Sequence, residues 1–269
     1  MLRTTLAALS AALVLPAAAA AHDFWLLPQA FEVEEPGEVP VRFAVGHAGD
    51  VNAWNLRWDR VVSLRLHGGG EAVDLQPHLT PTRGVIPGQA RVPLATPGTY
   101  VVAFESNHSL SDLEAAKFND YAAGEGLTAI LEARERAGQT EANGRELYSR
   151  RAKALIQVGD EATDGALEAV GHSLEIVPEA NPYALGDDRQ LSVRVLFRGV
   201  PLAGATIDAS ALGTGEEPYA KTVTDEEGRA RFVVPEGGAY RLNTVWGTPI
   251  PPGGAAEFET FFASLTFGG

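Results

Sequence analysis

Residues 60–68 read RVVSLRLHG, a short run in which apolar and polar side chains alternate before a glycine. Alternation with a period of two is typical of a β-strand with one buried face. Comparable runs, separated by Pro and Gly, are VPVRFAVG (39–46), GQARVPL (88–94) and GTYVVAFES (98–106). Their regular spacing predicts an antiparallel sandwich or barrel in the first part of the chain.

A second set of strand-like runs occupies the last hundred residues. It comprises residues 172–187, 190–210, 221–247 and 257–267. Between the two sets, Leu127, Ile130 and Leu131 follow helical spacing, and the basic segment 145–153 (RELYSRRAK) is interpreted as a solvated helix face. The predicted fold class is mainly β, with two Ig-like or prealbumin-like β-sandwich domains and a short helical insert between them.

Composition shifts predict the domain boundaries. The expected units are a signal peptide (1–21), an N-terminal sandwich (22–159) with a helical insert at about 109–151, a linker (160–171) and a C-terminal sandwich (172–269). The linker reads DEATDGALEAVG and is rich in acidic residues, Ala and Gly.

The first residues have the pattern of a secretory signal. Arg3 precedes an apolar stretch from Leu6 to Leu15, and residues 17–26 read AAAAAHDFWL. Cleavage after Ala21 would leave His22 as the first residue of a periplasmic or secreted protein. No later apolar run approaches the roughly 18 residues that span a bilayer, so we expect no membrane insertion of the mature chain.

Composition excludes several function classes. The chain has 0 cysteines, which rules out thiolate metal sites and cysteine nucleophiles. Its formal net charge of -14 makes nucleic acid an improbable partner. The GxSxG and HExxH motifs are absent from the sequence, and we therefore do not expect an enzyme.

The histidines are the candidate metal ligands, because neutral imidazole binds Ni, Cu and Zn. A terminal His22 would offer its α-amine and its imidazole together, while His47 and His108 lie at predicted strand ends and could meet it. Asp23 and Asp50 could supply an oxygen or orient an imidazole, and Trp25 could wall the site. The other histidines, His67, His78 and His172, are interpreted as loop or structural residues.

Several motifs together resemble one known family. They are AHDFWL (21–26), VGHAGD (45–50), ELYSRRAKALIQVG (146–159), LEIVPEANPY (174–183), RGVPLAGA (198–205), TDEEGRARF (224–232) and ASLTF (263–267). In this set the chain is similar to the DUF4198 family of exported bacterial proteins, which is related to NikM-like periplasmic nickel-uptake components. The resemblance implies nickel or cobalt handling together with a membrane transporter.

These observations predict a periplasmic protein that binds a transition-metal ion and supports its uptake. The resemblance favours nickel or cobalt, and the ligand chemistry favours copper. One alternative is a docking module of a transport system in which the histidines have no metal. Another is a copper enzyme built on a terminal histidine brace.

Overall fold

The alternating runs form strands, and the protein is mainly β with several sheets, as predicted. The structure is a computed structural model that describes residues 23–46, 51–68, 70–214 and 217–268. In chain order the strands are β1 (Asp23–Pro28), β2 (Glu32–Val33), β3 (Gly37–Gly46), β4 (Asn52–Ala53), β5 (Val61–His67), β6 (Val73–Asp74), β7 (Leu79–Thr80), β8 (Gln89–Leu94), β9 (Gly98–Ser106), β10 (Ser109–Leu113), β11 (Gly144–Val158), β12 (Leu174–Pro178), β13 (Gln190–Phe197), β14 (Val200–Pro201), β15 (Thr206–Ala211), β16 (Ala220–Val223), β17 (Arg229–Val233), β18 (Ala239–Pro249) and β19 (Phe258–Gly268).

Two α-helices, α1 (Ala115–Gly124) and α2 (Thr128–Arg136), lie between β10 and β11. Short 3-10 turns are formed by Trp58–Arg60, Gln76–His78, Asp164–Leu167 and Pro182–Ala184. The helices pack their apolar side chains, among them Phe118 and Ile130, against Phe258 and Phe262 of β19.

The largest element is a sheet of ten described strands, called the long sheet here. Its main order is β16-β15-β18-β19-β11-β9-β5-β6, and β10 and β2 pair with β11. Strands from both halves of the chain meet where β11 runs parallel to β19, from the pair Glu146 and Phe258 to the pair Ala154 and Thr266. The two predicted units therefore share one sheet.

Each face of the long sheet is covered by a smaller sheet. The N-terminal sheet, of order β1-β3-β8-β7 with β4 on β3, buries Phe24 and Phe43 against Phe104 and Ile156. The C-terminal sheet, of order β12-β13-β14 with β17 on β13, buries its own apolar side chains against Leu155 and other residues of the opposite face. Because successive side chains of a strand alternate between faces, β11 contributes buried side chains to both apolar cores.

The helical insert is shorter than predicted. Residues 109–113 form β10, and residues 144–158 form β11, so the helical interpretation of 145–153 is wrong. Arg151 and Lys153 are buried in β11, where they face Glu105 and Glu175. Their charges obscured the alternation that marks a strand, because a buried Arg or Lys resembles a solvated residue in the sequence pattern.

Lys153 and Glu175 form a buried ion pair between β11 and β12. Lys153 Nζ lies 2.8 Å from Glu175 Oε1, and both side chains are 1% exposed. The Glu175 carboxylate also accepts hydrogen bonds from the backbone N–H groups of Val170, Gly171 and His172. This single carboxylate therefore holds the segment that leads into the C-terminal sheet.

Replacing Glu175 with Gln should lower the free energy of unfolding by about 3 kcal/mol or more, because it leaves the Lys153 ammonium buried without a counter-charge. Glu179→Gln is the matched control, since Glu179 pairs with Arg194 and Arg229 in a much more exposed position and should cost about 1 kcal/mol or less. Urea unfolding monitored by circular dichroism measures both. Equal losses of unfolding free energy in the two variants would contradict the special cost of breaking the buried Lys153–Glu175 pair.

Candidate functional site

The β1–β3 ladder ends, within the described residues, at the pair Asp23 and Gly46. His22 directly precedes Asp23 in the sequence, and His47 directly follows Gly46. His22, His47 and Asp50 themselves lie outside the described residues. The site can thus be built from the described groups next to them.

Asp23 is nearly buried and is held by two side chains of β18. Arg241 Nη2 donates to Asp23 Oδ2 at 2.6 Å, and Asn243 Nδ2 donates to Asp23 Oδ1 at 3.1 Å. The Arg241 guanidinium also stacks over the Trp25 ring, with its carbon 4.7 Å from the ring centroid. Trp25 is 1% exposed, and its ring packs against the Arg241 side of this ion pair.

Two more carboxylates lie near Asp23, one on β15 and one just after α1. Asn243 Nδ2 lies 3.5 Å from Asp208 Oδ2, so one amide approaches both aspartates. Burial, followed by repulsion from Asp23, raises the pKa of Asp208 to about 6. Burial, followed by repulsion from Asp23 and Asp208, raises the pKa of Glu125 to about 7. We call Asp23, Glu125 and Asp208 the acidic cluster.

The acidic cluster has little positive charge to balance it. Arg241 and Lys221 are the cations that act on Asp208 and Glu125, and Lys221 Nζ also donates to the Gly124 carbonyl at 2.8 Å. In the described part of the chain, Asn243 Oδ1 and Arg241 Nε and Nη1 are buried without a hydrogen-bond partner. Such atoms are uncommon in folded proteins. The end of the β1–β3 ladder is therefore polar and acidic, and some of its buried polar atoms lack hydrogen-bond partners.

His108 lies in a different environment. Its Nε2 atom is 3.0 Å from Glu259 Oε1, and its ring meets Phe261 edge-on at 6.1 Å. Phe261 belongs to the core under the C-terminal sheet, together with Leu242. Asp23 contacts Arg241, which alternates with Leu242 and so lies on the opposite face of the long sheet. The structure does not bring His108 and Asp23 together.

Sequence reasoning missed Glu125, Asp208, Arg241 and Asn243. Asn243 and Asp23 are 220 positions apart, so no short motif connects them. One signal was present: residues 239–249 read AYRLNTVWGTP, a strand pattern in which Arg and Asn occupy one face between apolar residues. A charged residue on a face that should be buried indicates a partner elsewhere in the chain.

No three His, Asp or Glu residues within the described ranges are arranged to hold a metal ion by themselves. Among the helices that the structure describes, none has the length and apolar character needed to cross a membrane.

Comparison with known proteins identifies the family. A family model described as a domain of unknown function, DUF4198, matches residues 19–248. The chain belongs to the DUF4198 family. The resemblance found in the sequence motifs is confirmed at this level. A search of the curated proteins finds no match to this DUF4198 chain.

Solved structures with some similarity to this DUF4198 protein share little sequence with it. The D0–D1 domain of intimin is 12% identical, with 92% of this chain and 98% of that chain covered and a TM-score of 0.23. Murine CEACAM1b is 8% identical, with 91% and 98% covered and a TM-score of 0.21. A Salmonella alpha-2-macroglobulin is 11% identical over 91% of this chain and 14% of its own, with a TM-score of 0.22.

The raised pKa of Glu125 predicts a stability change between about pH 4.5 and pH 7 in the metal-free protein. The unfolded chain loses this proton near pH 4.5 and the folded chain near pH 7, so stability from the neutral carboxyl falls as the pH rises through that interval. Glu125→Gln keeps the side chain neutral. The variant should be more stable than the natural chain at pH 8, by roughly 1 to 3 kcal/mol, and similar to it at pH 4.

Urea unfolding at both pH values measures this difference. Glu141→Gln, at an exposed position outside the acidic cluster, is the control and should change stability little at either pH. If Glu125→Gln shifted stability by the same amount at pH 4 and pH 8, the proposed burial and repulsion at Glu125 would be contradicted.

Proposed function

We propose that the mature, exported chain binds one transition-metal ion at the end of the β1–β3 ladder, with His22 and His47 as nitrogen ligands. The observation that carries this proposal is the pairing of Asp23 with Gly46, because these residues are the chain neighbours of the two histidines.

Covalent geometry limits how far apart the two histidines can be. Paired residues of an antiparallel ladder have Cα atoms about 4.5 to 5.5 Å apart, and each histidine is one Cα–Cα step of 3.8 Å further on. Their Cα atoms therefore lie at most about 13 Å apart. Two imidazole side chains that share one ion can span such a distance.

The charge around this point favours a cation. The acidic cluster adjoins residue 23 and contains more carboxylates than the cations acting on it, Arg241 and Lys221, can balance. Carboxylates beside a metal site also orient imidazole ligands through hydrogen bonds. With three described carboxylates at the same end, the proposal gives the acidic cluster a role as counter-charge for the bound ion.

Ligand chemistry narrows the choice of metal. Cleavage after Ala21 would place the α-amine and the imidazole of His22 on one ion, and a nitrogen-rich donor set favours Cu(II) or Ni(II) over Mg or Ca. Nickel or cobalt follows from the family resemblance. The protein would capture the ion in the periplasm and pass it to a membrane transporter.

His108 stays a predicted ligand that this proposal does not use, because its Nε2 atom already faces Glu259.

A docking module is the second candidate function. It is favoured by the hairpin at residues 83–86, where Val85 and Ile86 are 98% and 65% exposed. Such side chains can contact a partner protein without any metal.

Isothermal titration of Ni(II), Co(II), Cu(II) and Zn(II) into the mature chain tests the proposal, with the first residue verified as His22 by mass spectrometry. We expect one ion per chain and at least a tenfold weaker affinity in His22→Ala and in His47→Ala, because each variant removes a nitrogen ligand. His78→Ala is the matched control and should bind as the natural chain does.

Absence of binding by any of the four ions would refute the metal function and leave the docking module. Equal loss of affinity in His78→Ala would show that the histidine effects are not local. Turnover of a reductant and oxygen by the copper-loaded chain would instead support the copper enzyme.

A further inference from the structure

A second polar site lies away from the acidic cluster, in a cavity of about 340 Å³ between β5, β9 and residues 170–172. Its lining includes Arg65, His67, Asp74, Glu105 and His172. The sequence pattern predicts a loop at His67, but His67 ends β5 and is half-buried. None of the groups of the acidic cluster lines this cavity.

His172 forms the most deeply buried polar part of the lining. The residue is 5% exposed, and its Nδ1 atom is shut off from solvent without a hydrogen-bond partner in the described chain. Burial lowers the pKa of His172 well below its usual value, and the charges of Lys153 and Arg151 lower it further. The imidazole is therefore neutral at neutral pH.

The tautomer of this neutral ring follows from the burial of Nδ1. A buried N–H without an acceptor is more costly and rarer than a buried acceptor without a donor. The proton therefore belongs on Nε2, which is the remaining polar atom of the ring. His172 thus presents an N–H donor.

Two charged side chains of the lining, Arg65 and Asp74, take part in no ion pair among the described residues. Lys153 is paired with Glu175 at 2.8 Å, and Arg151 is paired with Glu105 at 3.0 Å. Arg65, which is exposed at the mouth, has no ion-pair partner among the described residues.

Several other polar groups of the lining already have hydrogen-bond partners. Asp74, the cross-strand neighbour of Arg65, accepts the backbone N–H of Gln76 at 3.0 Å with its Oδ1 atom. The backbone N–H groups of residues 170–172 all donate to Glu175. Among the donors of the lining, the Arg65 guanidinium carries a charge and the imidazole of His172 is the most deeply buried.

We propose that this cavity binds a small oxyanion, with Arg65 and His172 as its hydrogen-bond donors. A guanidinium presents paired N–H groups that match a carboxylate or a phosphate, and a charge-assisted bond of this kind is stronger than a neutral one. A metal ion does not fit this lining, because no three potential ligands in the described residues are suitably arranged to hold one. This inference does not depend on the proposed metal function.

Nuclear magnetic resonance of the full mature chain labelled with ¹⁵N-histidine tests the inference. The probes are citrate, as an organic carboxylate, and inorganic phosphate. Without a probe, the ¹⁵N shifts should identify His172 as the neutral Nε2–H tautomer. Saturable shifts of the His172 and His67 signals with one probe or with both would identify the oxyanion class.

Arg65→Gln is the decisive variant, because Arg65 is exposed and its replacement should leave the fold intact. It should weaken binding of the effective probe at least tenfold, while Arg83→Gln, which changes an exposed arginine outside the cavity, should leave binding unchanged. The proposal is overturned if neither probe shifts the His172 signals or if Arg65→Gln binds as tightly as the natural chain.

Discussion

The parallel pairing of β11 with β19 is the contact on which the rest of the structure depends. It joins strands from the two halves of the chain into one sheet. Each face of that sheet then packs against a smaller sheet and forms one side of a separate apolar core. It also sets the position of β1, because Thr266 Oγ1 of β19 donates to the Leu26 carbonyl at 2.8 Å. Both candidate sites lie where this shared sheet meets a smaller element.

Asp23 shows how the sheet leads to the candidate site. Once β1 is fixed against β19, its first described residue reaches Arg241 and Asn243 of the adjacent β18, and through Asn243 it comes near Asp208. The cost of burying these charges is offset only in part, since several of their polar atoms have no partner in the described chain. A partly satisfied polar cluster beside two histidines in the sequence is the physical basis of the metal proposal.

The sequence predicted the parts of the structure that depend on local pattern. Alternation identified the strands of both sandwiches, and helical spacing identified α2. The sequence pattern gave the wrong element at residues 145–153, where Arg151 and Lys153 are buried beside carboxylates that only the fold brings to them. The acidic cluster and the cavity lined by Arg65 and His172 were beyond prediction for the same reason, because their members come from strands and loops far apart in the chain. His172 appeared structural in sequence, yet its buried ring lines a cavity.

Electron paramagnetic resonance of the copper-loaded mature chain tests most directly whether the β1–β3 register assembles one site from both histidines. Copper bound by both residues should show nitrogen couplings from the His22 amine and from two imidazoles. His47→Asn should remove one imidazole coupling while the couplings from His22 remain. A spectrum with oxygen ligands alone, or one that His47→Asn leaves unchanged, would contradict the account.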